Sequence, residues 1–492
     1  MFIGIDLGTS GLKALLLDRN GVVRAQKVAS LTLSHPHPLW SEQDPAAWWT
    51  ACESALAQLL DEAAGLGISP ASIEAIGLTG QMHGATLLDA SDSVLRPAIL
   101  WNDGRAFAEC AELERRVPEL RRITGNLAMP GFTAPKLLWL ARHEPDVFAR
   151  VASVLLPKDY LRLRLTGVKA SDMSDSAGTL WLDVAARDWS DTLLAACGLS
   201  RDMMPALFEG NQVTGHLTAE MAHRFGLPRV PVVAGGGDNA AGAVGVGVVA
   251  PGQAMLSLGT SGVSFVATDR YRSNPERAVH SFCHALPNTW HLMSVMLSAA
   301  SCLDFTAKLS GQADVATLLA AAEARGISDT TPTFLPYLTG ERTPHNNPAA
   351  QACFFGLTGA HDSADMANAA LEGIGLGLKD GFDALDAAGA SPDNITLIGG
   401  GSRSAYWAQM LADIIGRTLV RRAGGDVGPA LGAARLAHLA LAPETPLAEI
   451  CRVPDVIAQY HPDPARQAFF QERRRPRFLD LYQRLAPLFP KP

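Results

Sequence analysis

The pentapeptide Leu-Gly-Thr-Ser-Gly occurs twice in the chain, at residues 7–11 and again at residues 258–262. Each copy lies between two apolar runs, a pattern that predicts a β-hairpin with a Gly/Thr/Ser tip. Glycines let successive backbone N–H groups point into one concavity, and the hydroxyl groups supply further donors, so such a tip suits a phosphate group. Two tips, one in each half of the chain, predict a nucleotide held between paired domains.

Side chains at the two tips are candidate phosphate ligands. The candidates are Thr9, Ser10, Lys13, Thr260 and Ser261. Lys13 is the one cation next to either tip, and a solvated strand residue is an equally good interpretation of it. The sequence contains no G-x-x-x-x-G-K-[ST] pattern, so the tips are not Walker A loops. The phosphate contacts must therefore come from hairpin amides and hydroxyl groups.

Asp6 directly precedes the first tip, at the end of a predicted strand. A carboxylate at that place can hold Mg²⁺, either directly or through water. The alternative is an acid that only caps the turn. Ser257 occupies the corresponding position before the second tip. Because the turn itself does not require an acid, a functional role for Asp6 is favoured.

Asp238 follows three successive glycines at the end of the apolar strand Val230–Ala234. Ligands of open α/β proteins collect at the carboxyl ends of strands. A carboxylate there can act as a general base toward an attacking hydroxyl group. The alternative is an N-cap for a helix that begins at Asn239. Capping does not need a triple glycine, so we favour the catalytic role.

Polar and aromatic stretches in the first half predict a pocket for a small polyhydroxylated ligand. These stretches are Trp40–Pro45, Trp48-Trp49, Gln81–Gly84 and Trp101–Arg105. Any single Trp is more often a core residue, and His83 alone is ambiguous. His280 and His284 have the spacing of metal ligands on a helix, but their context predicts a strand and supplies no third ligand. No metal site is assigned to them.

The composition excludes several classes of function. The chain has 492 residues, of which 48% are hydrophobic and 18% charged, as expected of a globular protein with two large domains. A net charge of −8 argues against nucleic-acid binding, and the Arg-rich run 473–477 is interpreted as a solvated helix face. Residues 239–268 are uncharged, but their six glycines and Pro251 argue against membrane insertion. Seven isolated cysteines, and no visible secretory signal, predict a cytoplasmic protein.

Strand-like and helix-like runs alternate along the chain, which predicts an α/β protein with mixed sheets. Each half has a tip near its start and, later, a strand that ends in three glycines, the order of an internal duplication. We therefore predict domains at residues 1–245 and 246–492, with a hinge near 242–252. The predicted strands are Phe2–Ile5, Leu12–Leu17, Val22–Val28, Ile73–Leu78, Val230–Ala234 and Ile395–Ile398, and the predicted helices are Pro45–Ala64, Ser298–Leu309 and Ser363–Ala388.

Taken together, these motifs resemble those of the FGGY carbohydrate kinases, and the resemblance covers essentially the whole chain. The motifs are IDLGTSG (5–11), WSEQDP (40–45), GQMHG (80–84), LWNDGR (100–105), GGGDNAAGA (235–243), LSLGTSG (256–262), GERTPHNNP (340–348) and IGGGSRS (398–404). Residues 131–143 and 355–372 are similar to the two segments by which the family is usually recognised. Several of these motifs are long and unusual, so chance similarity does not account for them.

The resemblance implies two ribonuclease-H-like domains around a nucleotide cleft, as in actin and hexokinase. It implies ATP and Mg²⁺ as cosubstrates and D-xylulose as the acceptor, phosphorylated on its 5-hydroxyl group. By similarity, Asp238 is the general base and Asp6 acts near Mg²⁺. The other residues that the resemblance assigns are Met82, His83 and Asn239 to the sugar, Thr260 to a phosphate, and Gly400 and Ser404 to adenosine.

Two alternatives stay open from the residues alone. One is a sister substrate, such as ribulose, another ketose, or a polyol such as glycerol, because physical reasoning does not select one pentulose. The other is a chaperone or a sugar-responsive regulator that uses the same ATP-binding clamp without catalysis. A homodimer is compatible with the family, but the sequence does not specify it.

Overall fold

A computed structural model describes residues 1–423 and 428–490 of the chain. Each half carries a mixed seven-stranded sheet with helices packed against it. The predicted α/β class and the repeated architecture are therefore confirmed. The domain boundary between residues 245 and 246 stays a prediction.

The first sheet places β1 at its centre, parallel to β5 and antiparallel to β2. The strand order is β13-β14-β5-β1-β2-β3, and β15 pairs with the end of β5 beyond β14. The bounds are β1 (Phe2–Leu7), β2 (Gly11–Leu17), β3 (Val23–Ser30), β5 (Ala75–Gly80), β13 (Val213–His216), β14 (Pro231–Val233) and β15 (Gly236–Gly237).

The second sheet repeats this core, with β16 parallel to β22 and antiparallel to β17. Its order is β18-β19-β17-β16-β22-β23-β24. The bounds are β16 (Ala254–Leu258), β17 (Gly262–Thr268), β18 (His280–Cys283), β19 (Trp290–Met296), β22 (Asn394–Ile398), β23 (Thr418–Arg422) and β24 (Val456–Tyr460).

Short two-stranded ladders and the helices complete the structure. The ladders are β4 (Glu42–Gln43) with β7 (Ala98–Ile99), β6 (Thr86–Leu88) with β8 (Ser153–Leu155), β9 (Ala170–Asp172) with β12 (Ala206–Phe208), β10 (Leu182–Asp183) with β11 (Asp188–Trp189), and β20 (Thr333–Leu335) with β21 (Cys353–Phe355). The helices of the first half are α1 (Pro45–Gly65), α2 (Phe107–Arg116), α3 (Leu120–Thr124), α4 (Thr133–His143), α5 (Pro145–Phe148), α6 (Pro157–Thr166), α7 (Met173–Ala177), α8 (Asp191–Ala196), α9 (Ala219–Phe225) and α10 (Asp238–Gly245). Those of the second half are α11 (Ser301–Leu309), α12 (Val315–Arg325), α13 (Ser363–Ala387), α14 (Ala405–Ile415), α15 (Gly428–Leu441), α16 (Leu447–Ile450), α17 (Pro464–Phe469) and α18 (Arg475–Leu485).

The predicted strands and helices are all present, with ends that shift by a few residues. The largest shift has a local cause at α11, which was predicted to start at Ser298. The amides of Ala299 and Ala300 donate to the carbonyls of Thr260 and Gly259, over 2.8 and 3.0 Å. These amides stabilise the second hairpin tip, so the helix begins only afterwards.

The two identical pentapeptides form hairpins of different register. The first hairpin pairs Leu7 with Leu12, which leaves residues 8–11 at the tip. The second pairs Leu258 with Gly262, which leaves only residues 259–261. Sequence identity therefore predicts two hairpins but not two superimposable tips.

Helix α15 belongs to the second half of the sequence but packs on β1 and β5 of the first sheet. The contact is between backbones. A Cβ atom added to Gly4 would lie 1.9 Å from the Ala430 carbonyl oxygen, and one added to Gly77 would lie 1.9 Å from that of Ala433. On its other side α15 packs against α10. A Cβ atom added to Gly432 would lie 1.7 Å from the Ala241 carbonyl oxygen, so this contact is also between backbones. Two helices rich in small residues thus join the halves at the predicted hinge.

The interpretation of the Arg-rich run as a solvated face is wrong for two of its residues. Arg474 is 3% exposed and donates from Nε to Glu372 over 2.7 Å. Arg475 forms an ion pair with Asp380, 3.1 Å away. Both acids lie on α13, so these arginines attach the C-terminal helices to the second domain. Among the described residues, no helix is both long and apolar enough to cross a membrane.

The approach of α15 to β5 generates a stability prediction. Gly77→Ala should destabilise the protein by at least about 2 kcal/mol, because a backbone carbonyl cannot yield as a side chain can. The matched control is Gly65→Ala at the end of α1, where a Cβ would meet no atom within 4 Å; this change should be neutral or stabilising by up to about 1 kcal/mol. Thermal unfolding of both variants is the measurement. Equal melting temperatures would contradict the close contact.

Candidate active site

The candidate residues of the first half meet at one edge of the first sheet. Asp6 pairs with Lys13 across β1 and β2 and lies beside Thr79 of β5. Thr79 in turn pairs with Gly236 of β15, two residues before Asp238. Because parallel strands present their carboxyl ends at the same edge, this register brings residues distant in sequence into one row.

The carboxyl group of Asp6 is buried without a protein partner on one oxygen. Its Oδ1 accepts no hydrogen bond from the described residues, and the tip is closed instead by the amide of Gly8, which donates to the Gly11 carbonyl over 3.0 Å. The turn-capping alternative for Asp6 is therefore wrong. Burial, followed by the charge of Asp238, raises the pKa of Asp6 to about 7, while Lys13 opposes the shift.

Asp238 is the first residue of α10, and Gly237, which precedes it, is the N-cap and makes no side-chain capping bond. The N-cap alternative for Asp238 is therefore wrong as well. Its Oδ1 accepts from the Asn239 amide at 2.7 Å and from the Asn239 side-chain Nδ2 at 2.9 Å. Burial raises the pKa of Asp238 to about 6, and these two bonds limit the rise. In the described part of the chain Oδ2 has no hydrogen-bond partner and is free for a ligand.

The residues around Asp6 fit a divalent cation delivered with a nucleotide. Mg²⁺ takes oxygen ligands and keeps several waters, so one or two carboxylates and substrate phosphates are sufficient. Asp6 supplies a buried oxygen without a partner, and Asp238 is near enough to raise its pKa. No cluster of three or more His, Cys, Asp or Glu in residues 1–423 and 428–490 could bind a metal alone.

A hydrogen-bonded chain joins the first tip to the predicted sugar motifs. Thr9 Oγ1 donates to Gln81 Oε1 over 3.1 Å and accepts from Trp101 Nε1 over 2.9 Å. Gln81 Nε2 donates to Gln43 Oε1, and Gln43 Nε2 donates back to the Thr9 carbonyl, over 3.0 and 2.8 Å. The Thr9 hydroxyl is thus hydrogen-bonded within the protein. Ser10 is exposed, and its hydroxyl has no partner among the described residues. Sequence reasoning placed both glutamines in motifs of the predicted sugar pocket but did not predict their hydrogen bonds to the first tip.

His83 is held as a neutral acceptor. Its Nδ1 donates to the Gly178 carbonyl over 2.7 Å, which leaves the Nε2 lone pair for a ligand. Burial, followed by the charge of Lys136, lowers the pKa of His83 to about 3. Lys136 Nζ donates to the His83 backbone carbonyl over 2.9 Å. This network fixes a left-handed backbone at His83, with φ of 69°.

Met82 connects this loop to Asp238. A Cβ atom on Gly237 would lie 2.9 Å from the Met82 sulfur, so the loop of Met82 and His83 lies directly against the residue before Asp238. The structure thus brings together Asp6, Lys13, Met82, His83, Asp238 and Asn239.

The tryptophans divide between core and site. Trp48 is fully buried and Trp49 is 6% exposed, so the core interpretation is right for both. Trp40 stacks on the Arg105 guanidinium at 3.6 Å and serves to lock two motifs together. Trp101 lies beside Thr9 and is 43% exposed. Trp101 is therefore the best placed of these four tryptophans to face a ligand.

The predicted residues of the second half lie at the ends of β16 and β22. Ser257 pairs with Ile398, so the second tip is beside Gly399, which has φ of 87°. The Thr260 carbonyl accepts from Ala299 and Ser301, while its hydroxyl has no partner in the described part of the chain.

Gly400 and Ser404 differ in what they leave free for a ligand. A Cβ on Gly400 would meet nothing within 4 Å, so its surface is open to a ligand. The Ser404 hydroxyl caps α14 by accepting from the Trp407 amide over 3.2 Å.

Arg342 is a residue that sequence reasoning did not single out. Arg342 lies between the two halves of the chain. Its NH1 donates to His280 Nε2 over 3.2 Å. Its charge also contributes to the low pKa of His83 in the first half. His280 Nδ1 contacts Asn126 Oδ1, 3.3 Å away in the first half. The signal was the GERTP motif at 340–344, but nothing in the sequence indicates that this loop reaches His83.

Comparison with known proteins gives matches over nearly the whole chain. Models of the N-terminal and C-terminal domains of the FGGY family of carbohydrate kinases match residues 1–245 and 254–441. The xylulose kinase of Escherichia coli (strain K12) is 61% identical over 488 residues, which cover 99% of this chain and 100% of the relative.

Solved structures match equally completely. The crystal structure of a xyloylose kinase from Brucella ovis has a TM-score of 0.94, with 48% identity and 99% coverage of both chains. The Plasmodium falciparum glycerol kinase with ADP has a TM-score of 0.89 at 20% identity, covering 98% of this chain and 97% of that one, and is similar in fold.

The pKa of Asp6 predicts how stability depends on pH. An unfolded Asp ionises near 3.8 and the folded one near 7, so between these values the folded state binds more protons and the free energy of unfolding falls as pH rises. Asp6→Asn should remove this fall. Relative to the wild type, the free energy of unfolding of the variant should rise by up to about 2 kcal/mol between about pH 5 and pH 8, a value reduced for the partial solvent exposure of Asp6. Urea unfolding across this range measures it. Asp61→Asn, on the exposed face of α1, is the control, and parallel curves for all three proteins would refute the assignment.

Proposed function

The chain belongs to the FGGY family of carbohydrate kinases, and from that premise we propose that it transfers the γ-phosphoryl group of ATP to the 5-hydroxyl group of D-xylulose. Identity of 61% over essentially the full length to a xylulose kinase supports this acceptor. The observation that carries the chemistry is the placement of Asp238. One oxygen of this carboxylate is held by Asn239, the other is free, and the loop of Met82 and His83 lies against it.

Asp238 is suited to general-base catalysis. A base works best when its pKa lies near the operating pH, and burial brings the pKa of Asp238 to about 6. Its Oδ2 accepts the proton of the 5-hydroxyl group while the sugar oxygen bonds to the γ-phosphorus. The bond from that phosphorus to the β,γ-bridging oxygen breaks, and ADP departs with the electron pair. General-base assistance of this kind contributes roughly 10²–10⁴-fold.

The neighbouring residues position the sugar rather than react with it. His83 offers the Nε2 lone pair to a sugar hydroxyl group, because its Nδ1 proton is committed to Gly178. Asn239 holds Asp238 through its amide and side chain, and Met82 supplies an apolar wall. Positioning of this kind is the main requirement of phosphoryl transfer.

The phosphates of ATP are assigned to the two tips. The proposed donors are the amides at residues 9–11, the hydroxyls of Ser10 and Thr260, and the amine of Lys13, while the open backbone at Gly400 faces adenosine. Asp6 would hold Mg²⁺, which neutralises phosphate charge when bound. Closure of the two halves about α10 and α15 would exclude water, a competing acceptor.

Replacing Asp238 tests the general-base role. Asp238→Asn keeps the shape and the Asn239 contacts but cannot accept the proton, so kcat should fall by at least about 10²-fold while ATP binding stays nearly intact. A coupled assay of ADP release gives kcat, and calorimetric titration of ATP gives the control. Near-normal turnover by the variant would reject the role.

A panel of acceptors tests the substrate. With ATP and Mg²⁺, D-xylulose should give the highest kcat/KM, ahead of D-ribulose, L-ribulose and glycerol, with acceptor-dependent ADP release as the readout. A higher value for another sugar would reassign the acceptor within the same site. Absence of release with every acceptor would contradict the kinase proposal itself.

A further inference from the structure

A cluster of charged residues is buried behind the loop that carries Asp238. Lys158, Asp159, Arg162, Asp172 and Asp175 all have 0% side-chain exposure. They come from α6, from the end of β9 and from α7, and none of them has a role in the reaction described above.

Lys158 is the centre of the cluster. Its Nζ lies 2.8 Å from Asp159 Oδ1, 2.9 Å from Asp172 Oδ1 and 2.9 Å from Asp175 Oδ2. Burial opposes its charge, but the three carboxylates outweigh burial and hold the pKa of Lys158 above its usual range. Lys158 is therefore a fixed cation that donates a hydrogen bond to Asp159 and forms ion pairs with Asp172 and Asp175.

Such a cluster is a poor source of stability. Removing charges from water costs several kcal/mol per ion, and apolar residues of similar volume often stabilise a protein as well or better. The directional contacts of the cluster are its hydrogen bonds, which include those from Lys158 Nζ to Asp159 Oδ1 and from Ser174 to Asp172 Oδ2. What these contacts hold in place is the more informative question.

One contact leads from the cluster to the catalytic loop. Ser174 Oγ donates to Asp172 Oδ2 over 2.5 Å. Ser174 Oγ also accepts a hydrogen bond from the Gly237 amide over 3.0 Å. Gly237 immediately precedes Asp238. The ion cluster thus ends, through a single hydroxyl group, on the residue that sets the position of Asp238.

A second set of contacts fixes the start of the same loop. Arg162 donates from NH1 to the Val233 carbonyl over 2.7 Å and from NH2 to the Ala234 carbonyl over 2.5 Å. Residues 235–237 are glycines, which lose the most conformational freedom on folding and need external restraint. Arg162 restrains one end of the glycine run and Ser174 the other.

We infer that Ser174, oriented by Asp172 and Lys158, is a positioning residue that fixes Asp238 toward the acceptor hydroxyl group. The inference rests on the proposed role of Asp238 and adds the reason why a triple glycine can carry a base. Ser174 touches no substrate. It acts only through the Gly237 amide.

The helix offers a matched control. Ser176 is on the same helix and is equally buried, and it donates to Ser171 Oγ over 2.9 Å. Ser171 in turn donates to Asp159 of the cluster. In the described part of the chain Ser176 makes no hydrogen bond to residues 235–238. Ser174→Ala and Ser176→Ala each remove one buried hydroxyl group. Only the first removes the acceptor of the Gly237 amide.

The test compares kcat and KM of the two variants, using whichever acceptor of the panel supports turnover by the wild type. Ser174→Ala should lower kcat about 10- to 100-fold, as expected of a small displacement of a reacting group, with the KM for ATP within about twofold. Ser176→Ala should keep kcat within about twofold of the wild type at a similar loss of melting temperature. Ser174→Cys, whose thiol is a weak acceptor of similar size, should give an intermediate kcat.

Each outcome decides the matter. Equal kcat values for the two alanine variants, or a loss that follows melting temperature alone, would overturn the positioning role. If Ser174→Ala does not fold, the Cys variant is compared with Ser176→Ala by the same criterion. Failure of the proposed function is seen separately, as a wild-type protein that transfers phosphate to none of the sugars or to a different one.

Discussion

Two carboxyl groups, Asp6 and Asp238, lie half-buried near neighbouring strand ends, and the charge of Asp238 makes Asp6 harder to ionise. Most features around them respond to this constraint. Lys13 faces Asp6 across the hairpin, Asn239 holds one oxygen of Asp238, and His83 stays neutral rather than pairing with either acid. This arrangement suits the proposed roles of Asp6 as a ligand of a divalent cation and of Asp238 as a proton acceptor, because in the free protein the two charges oppose each other.

The scaffold keeps this arrangement by close backbone packing. Helix α15 packs against β1 and β5 where Gly4 and Gly77 have no side chain. The second half of the chain therefore supports these two strands, which end at Leu7 and Gly80. The same helix meets α10, which begins at Asp238. Helix α15 therefore connects the second half to α10 and to the strands beside the candidate site, and the proposed closure would act through this connection.

Much of this was accessible from sequence, because local pattern determines local structure. The tips, the triple glycines and the apolar runs predicted both sheets and the candidate residues on them. The turn-capping alternative for Asp6 and the N-cap alternative for Asp238 were decided by the hydrogen-bond partners in the structure. For other residues the motif was visible but the contact was not. Gln43, Gln81 and Arg342 lie in recognisable motifs, but their partners are far away in sequence. The Arg-rich run predicts a solvated face, whereas Arg474 is buried and pairs with Glu372.

The sequence by itself determined the candidate residues and the strands that present them, since glycine spacing, apolar runs and acids at strand ends are properties of short segments. Only the tertiary structure decided which hydroxyl groups stay free, what the two copies of the pentapeptide pair with, and that a lysine on α6 reaches, through Asp172 and Ser174, the loop of Asp238. The reason is physical. Hydrogen-bond partners and buried charges depend on contacts between segments that are distant along the chain, and such contacts exist only after the two sheets have formed and packed.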